Sequence, residues 1–88
     1  MYALSIRPAL QKKLEKLAKK KPKIAEIIVK KTEEIVQNPQ HYKNLRRPLQ
    51  HGKRVHVDSH FVLTFSVDEN LKTVILEDFD HHDNIYAH

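Results

Sequence analysis

Apolar residues recur along this chain with two different periods, and each period dictates an element. Tyr2, Leu4 and Ile6 alternate with Ala3, Ser5 and Arg7, the period of a short strand. Pro8 stands where a first helical turn begins, and Leu10, Leu14 and Leu17 then recur at helical spacing among lysines. Pro22 interrupts and opens a second helix, although Lys21 before it offers no oxygen to cap the free N–H groups. In that helix Ile24, Ile28 and Ile35 form one stripe, widened by Ile27, Val29 and Val36, with Lys30, Lys31, Glu33 and Glu34 towards water. Asn38-Pro39 ends it, because the residue before a proline is driven out of the helical region. Residues 8–37 are therefore expected to form an amphipathic helical hairpin. Residues 38–52 read as a polar connection that Leu45 and Leu49 pin to the core.

Beyond Gly52 the period changes to two. Val55 and Val57 alternate with Arg54, His56 and Asp58, and Phe61, Leu63, Phe65 and Val67 with Val62, Thr64 and Ser66. Asp68-Glu69-Asn70 makes a turn, and Thr73–Phe79 is a third strand of the run. Tight turns between such strands give an antiparallel meander over residues 53–79, followed by a polar tail over 80–88. The expected order is β-α-α-β-β-β, an α+β fold of one domain with the hairpin packed on one face of a small, mostly antiparallel sheet. Two helices cover one face of a four-stranded sheet this size and leave the other open.

Length and composition narrow this further. A chain of 88 residues has room for one hydrophobic core. It contains no cysteine, which excludes disulfides and thiolate metal sites. No apolar run approaches the ~20 residues of a membrane span, and no signal-peptide core is visible, so a soluble cytoplasmic protein is expected. The net charge of +5 is unevenly spread: residues 1–50 carry +9 and residues 51–88 carry −4. The lysine-rich half suits a polyanion such as RNA or an acidic protein partner, while lysine-covered helices are also simply well solvated.

Candidate chemistry lies in two places. If Val55 and Val57 face the helices, Arg54 and His56 project together from the open face, roughly 7 Å apart along one strand. The tail adds His81, His82 and Tyr86. RNA cleavage by a neighbouring 2′-hydroxyl needs a base for the hydroxyl proton, a cation for the phosphorane and an acid for the leaving 5′-oxygen. Histidine and arginine supply these without a metal ion or cofactor. A metal site from His81, His82, Asp83 and His56 is not expected, because adjacent histidines on an extended chain point apart and no helical His pair is present. Ser59 and Ser66 lack the surroundings of a nucleophile elbow, so no Ser-His-Asp triad is expected.

Taken together, these residues resemble the RelE/ParE toxin superfamily over nearly the whole chain. The likeness lies in the opening strand and Lys-rich helix, in Asn38-Pro39 followed by Leu45, and in Arg54-Val55-His56-Val57 leading into Phe61-Val62-Leu63-Thr64-Phe65. The tail His81-His82-Asp83-Asn84-Ile85-Tyr86 resembles the family's terminal His-Arg-x-x-(Val/Ile)-Tyr. The resemblance implies a microbial-RNase-like fold, cleavage of mRNA in the ribosomal A site with contacts to ribosomal RNA, and neutralisation by a cognate antitoxin. It makes Arg54 a phosphate-binding cation, His82 a catalytic group, Tyr86 a base-stacking or proton-transfer residue and His81 the match of the family's preceding His. Lys20, Arg46, Arg47 and Lys53 are the further candidates for phosphate contact. His56 and His82 stand where the family has arginines, and Asp58-Ser59-His60 replaces a glycine-containing turn, which favours a branch using histidines as acid and base. Two other readings stay open: a ParE-like inhibitor that binds a DNA topoisomerase without catalysis, and a degenerate toxin kept as an antitoxin-binding repressor partner.

Overall fold

The computed structural model of the chain describes residues 1–43 and 52–86, Tyr86 by its place in the last helix alone. Leu45, Leu49, Arg46 and Arg47 thus lie outside the described residues. Strand β1 (Ala3–Ile6) leads into helices α1 (Pro8–Lys20) and α2 (Pro22–Gln37), and a 3₁₀ turn follows over Pro39–His41. Strands β2 (Lys53–His56), β3 (Phe61–Asp68) and β4 (Thr73–His81) and a short helix α3 (His82–Tyr86) complete the order. The fold is α+β.

Proline begins both long helices, and neither has a side-chain N-cap, as Lys21 foretells. Lys21 alone separates them, its N–H closing α1 on the Leu17 carbonyl at 2.7 Å. Leu10, Ile28 and Ile35 are buried, with Leu14, Leu17, Ile24, Ile27 and Val36 packed around them. Val29, expected in that stripe, is instead 57% exposed on the outer side of α2. It adjoins Ile28 in sequence, and a turn of ~100° per residue carries it past the edge of the stripe.

The hairpin lies on a four-stranded sheet of order β1-β4-β3-β2. The meander β2-β3-β4 is antiparallel, whereas β1 joins β4 in parallel, Ala3 opposite Thr73 and Ile6 opposite Leu76. Leu63, Phe65, Val74, Leu76 and Phe79 meet Leu10, Ile28 and Ile35 in one core. β4 departs from strict alternation, since its core residues Leu76 and Phe79 are three apart. A register shift at Thr64/Phe65 explains this: Phe65 pairs with Leu76 and Thr64 with Asp78, leaving Glu77 without an opposite number. Such a bulge turns the following side chains over. β4 runs to His81, opposite Phe61 and two residues beyond the expected end at Phe79, and the tail becomes strand and helix.

The second face of the sheet is not wholly open either. Val62, next to hairpin-facing Leu63 and so directed the other way, is fully buried beneath Ile85 of α3. Burying an isoleucine contributes about 2 kcal/mol towards holding this short segment back on the sheet. A carboxylate network holds the far end of the sheet: Glu69 accepts hydrogen bonds from the Tyr2 hydroxyl, Gln40 and Lys72 at 2.7–3.1 Å.

Candidate active site

β2 sorts its residues by parity. Lys53 lies opposite Phe65 and Val55 opposite Leu63, both core residues, so these two share the hairpin side. Arg54 pairs with Thr64 and His56 with Val62, which puts them on the α3 side. His56 is exposed and Arg54 half-buried. Lys53 is therefore separated from Arg54, and its Nζ donates to the Tyr42 carbonyl at 3.2 Å. The row continues across the sheet: His56, Val62, Asp80 in one line and Arg54, Thr64, Asp78 in the next.

α3 begins where β4 ends. Asp80 Oδ1 accepts from the His81 N–H at 2.8 Å and from Asn84 Nδ2 at 3.0 Å, bridging strand and helix. The Asn84 amide foremost, with the His81 N–H next, holds the Asp80 carboxyl below its ordinary value. One further ladder bond, from the His82 N–H to the His60 carbonyl at 2.8 Å, ties the β2–β3 turn to the start of α3. That turn is set by Asp58, whose Oδ1 accepts the N–H groups of His60 and Phe61 at 2.8 and 3.0 Å. These bonds, the His60 N–H foremost, hold the Asp58 carboxyl below its ordinary value against the opposing effect of burial.

Three imidazoles meet at this junction. His81 stacks on His82 with ring centroids 4.6 Å apart and on His60 at 5.8 Å, and meets Phe61 edge-on at 5.8 Å. Asp83 serves two of them, its carboxylate 3.0 Å from His82 Nδ1 and 3.6 Å from His81 Nδ1. The expectation that neighbouring histidines point apart fails because His81 ends a strand and His82 starts a helix. The backbone turns between them and brings the rings face to face.

The candidates thus fall into three groups. Arg54 and His56 lie on the α3 side of β2. His81 ends β4 opposite Phe61 and so on the hairpin side, the face away from Arg54 and His56. His82 opens α3 two strand spacings (~10 Å) across the sheet from β2, nearer to His56 than to Arg54. Lys20 lines a groove of about 370 Å³ with Lys13, Lys16, Lys21, Phe61 and Asp80. Phe61 and Asp80 join this groove to the histidine cluster, and Lys21 Nζ lies 5.7 Å from the Phe61 ring centroid. Tyr86 belongs to α3, whose Ile85 is seated on Val62. Sequence reasoning missed His60. Its signal was the hairpin register, which the bulge moves by one residue to set Phe61 opposite His81.

The arrangement offers a fixed cation, several imidazoles and a lysine-rich margin, the parts needed to bind and cleave a phosphodiester. Among the described residues no helix is long and apolar enough to cross a membrane. The sequence model of a family described as the ParE toxin of the type II toxin–antitoxin system, parDE, matches residues 4–86. A candidate toxin, RelE4, of Methanocaldococcus jannaschii is 63% identical over 86 residues, covering 98% of this chain and 92% of that protein. An uncharacterized protein of Methanosarcina mazei is 59% identical, covering 98% of this chain and all of that one. Among solved structures, the toxin–antitoxin complex RelBE2 of Mycobacterium tuberculosis contains a chain with the same fold. The TM-score is 0.76 at 23% identity, over 91% of this chain and 96% of that one.

Proposed function

Because the chain belongs to the ParE toxin family of type II toxin–antitoxin systems, we propose that it is the toxin of such a pair and that it stops translation by cleaving mRNA in the ribosomal A site. The observation that carries this reading is the docking of α3 through Ile85 on Val62, which sets the His82–Tyr86 segment at the sheet end bordered by Arg54 and His56. β3 runs between His56 and the end of β4, with Ile85 seated on Val62. In this reading the phosphodiester therefore lies along the rim of that sheet end, approached by His56 from the β2 side and by His82 from the β4 side. One of His56 and His82 takes the 2′-hydroxyl proton as the 2′-oxygen attacks phosphorus. The other gives a proton to the departing 5′-oxygen, leaving a 2′,3′-cyclic phosphate and a free 5′-hydroxyl. Arg54 balances the charge that gathers on the phosphorane, and Tyr86 stacks on a base. His81, stacked on His82, positions it, and Lys20 extends the cationic path along the groove. The reaction needs no metal ion or cofactor. The partner is a cognate antitoxin, in keeping with the RelBE2 complex whose fold this chain shares.

The test is a double variant, His56→Ala with His82→Ala. Each proton-transfer group contributes about 10²–10⁴-fold to such a reaction, so primer extension should find mRNA cleavage abolished and induced cells should keep growing, with antitoxin binding retained. Growth arrest at wild-type strength in that variant rules the site out. The parDE identity of the matched family favours a second reading, binding and inhibition of a DNA topoisomerase without catalysis. A supercoiling assay separates the two: inhibition that persists in the double variant, with mRNA intact in wild-type cells, supports the second.

A further inference from the structure

From the junction of β3, β4 and α3 we propose that His60, His81 and His82 form a binding site for a late first-row divalent metal ion, Zn²⁺ above all. One imidazole nitrogen from each residue lies within 4.8 Å of the others. Three nitrogens on one tetrahedral zinc at about 2.05 Å stand about 3.3 Å apart. A contraction of about 1.5 Å separates the two arrangements, a distance that small rotations of imidazole rings cover. His60 is exposed and His81 and His82 are half-buried, so the rings have room to turn.

Two further features suit a metal rather than a chance gathering of rings. Protein ligands to zinc are commonly oriented by a carboxylate on the second ring nitrogen. Asp83 Oδ1 lies 3.0 Å from His82 Nδ1, so a proton held there leaves Nε2 with its lone pair free. Asp83 Oδ2 lies 3.6 Å from His81 Nδ1, although in the unloaded chain that nitrogen accepts the Asp83 N–H at 3.2 Å. Loading through Nε2 moves the His81 proton from Nε2 to Nδ1, which gives up the Asp83 N–H bond and turns the ring towards the Asp83 carboxylate 3.6 Å away. The backbone also fixes the three positions, since the His82 N–H bonds the His60 carbonyl and Asp58 holds the turn that carries His60. All three donors are imidazoles, which favours Zn²⁺, Ni²⁺ or Cu²⁺ over Mg²⁺ or Ca²⁺. The site shares His81 and His82 with the ribonuclease reading and adds His60, which has no part in that reaction, so metal binding and mRNA cleavage are tested separately. Where both hold, metal and proton transfer compete for His82.

Titration calorimetry of the untagged full chain with Zn²⁺, with Mg²⁺ as the control ion, tests the proposal, supported by the thermal shift that a ligand of the folded state produces. One equivalent of Zn²⁺ should bind and raise Tm. His60→Ala and His81→Ala should each weaken binding roughly tenfold or more and remove the shift, while His41→Ala leaves both unchanged. Because His60 is exposed, His60→Ala should keep the wild-type circular dichroism without metal, and His82→Ala provides a second variant. Absence of Zn²⁺ uptake by the wild-type chain overturns the site, as does uptake that His60→Ala, His81→Ala and His82→Ala all leave unaltered.

Discussion

At the scale of single residues, this protein works through carboxylates that set backbone positions for neighbouring histidines. Asp58 holds the turn before β3 through two backbone hydrogen bonds, together worth about 1 kcal/mol at a half-buried site. Its carboxyl sits below the ordinary value when folded, so its stabilisation is present above the unfolded-state value and fades as pH falls through the depressed one. Asp58→Ala should accordingly lower Tm near neutral pH by about 4–8 °C. Scanning calorimetry at descending pH should find the gap between variant and wild type closing below about pH 4. A gap that widens in acid contradicts this account. The partners of such residues were only partly legible in the sequence. The shared side of Arg54 and His56 follows from period two alone, and Lys53 follows by the same rule onto the other side. The meeting of His60 with His81 depends on a bulge that no local pattern announces.

Among the elements, the helices and the meander were readable because their signals are local: proline at each helix start, apolar spacing along each face, Asp-rich turns between strands. What the sequence hid is longer in range. β1 could pair with any strand, and its parallel place beside β4 is decided by packing of Tyr2 and Ile6 on the common core. α3 was hidden for another reason: five residues are too few to form a helix unaided, and the contact of Ile85 with Val62, with the Asn84 bond to Asp80, sustains it. That contact yields a test of the element. Ile85→Ala should cost about 2 kcal/mol, at the low end for a buried isoleucine because the site lies at the sheet end. It should cut mRNA cleavage far more than unfolding of the rest accounts for. Hydrogen exchange should find residues 82–86 deprotected while β3 and β4 stay protected. Full cleavage with α3 released would separate the helix from the chemistry.

For the molecule as a whole, charge is divided between the lysine-rich hairpin and the acidic C-terminal half, and the groove lined by Lys13, Lys16, Lys20 and Lys21 marks the boundary. If RNA follows that margin, the logarithm of its affinity falls linearly with the logarithm of salt concentration, with a slope of about −0.7 per phosphate engaged on a single strand. Lys20→Ala should make the slope shallower by about that amount in a filter-binding series, and an unchanged slope would remove Lys20 from the RNA path. The sheet order carries a consequence for how the protein comes into being. Residues 3–6 find their neighbours at 73–76, so an emerging polypeptide holds its first strand unsatisfied until most of the chain has been synthesised. The His82–Tyr86 segment is made later still. The proposed chemistry thus waits on β4 and α3: until residues 73–86 are in place, β1 has no neighbour and His82 no seat.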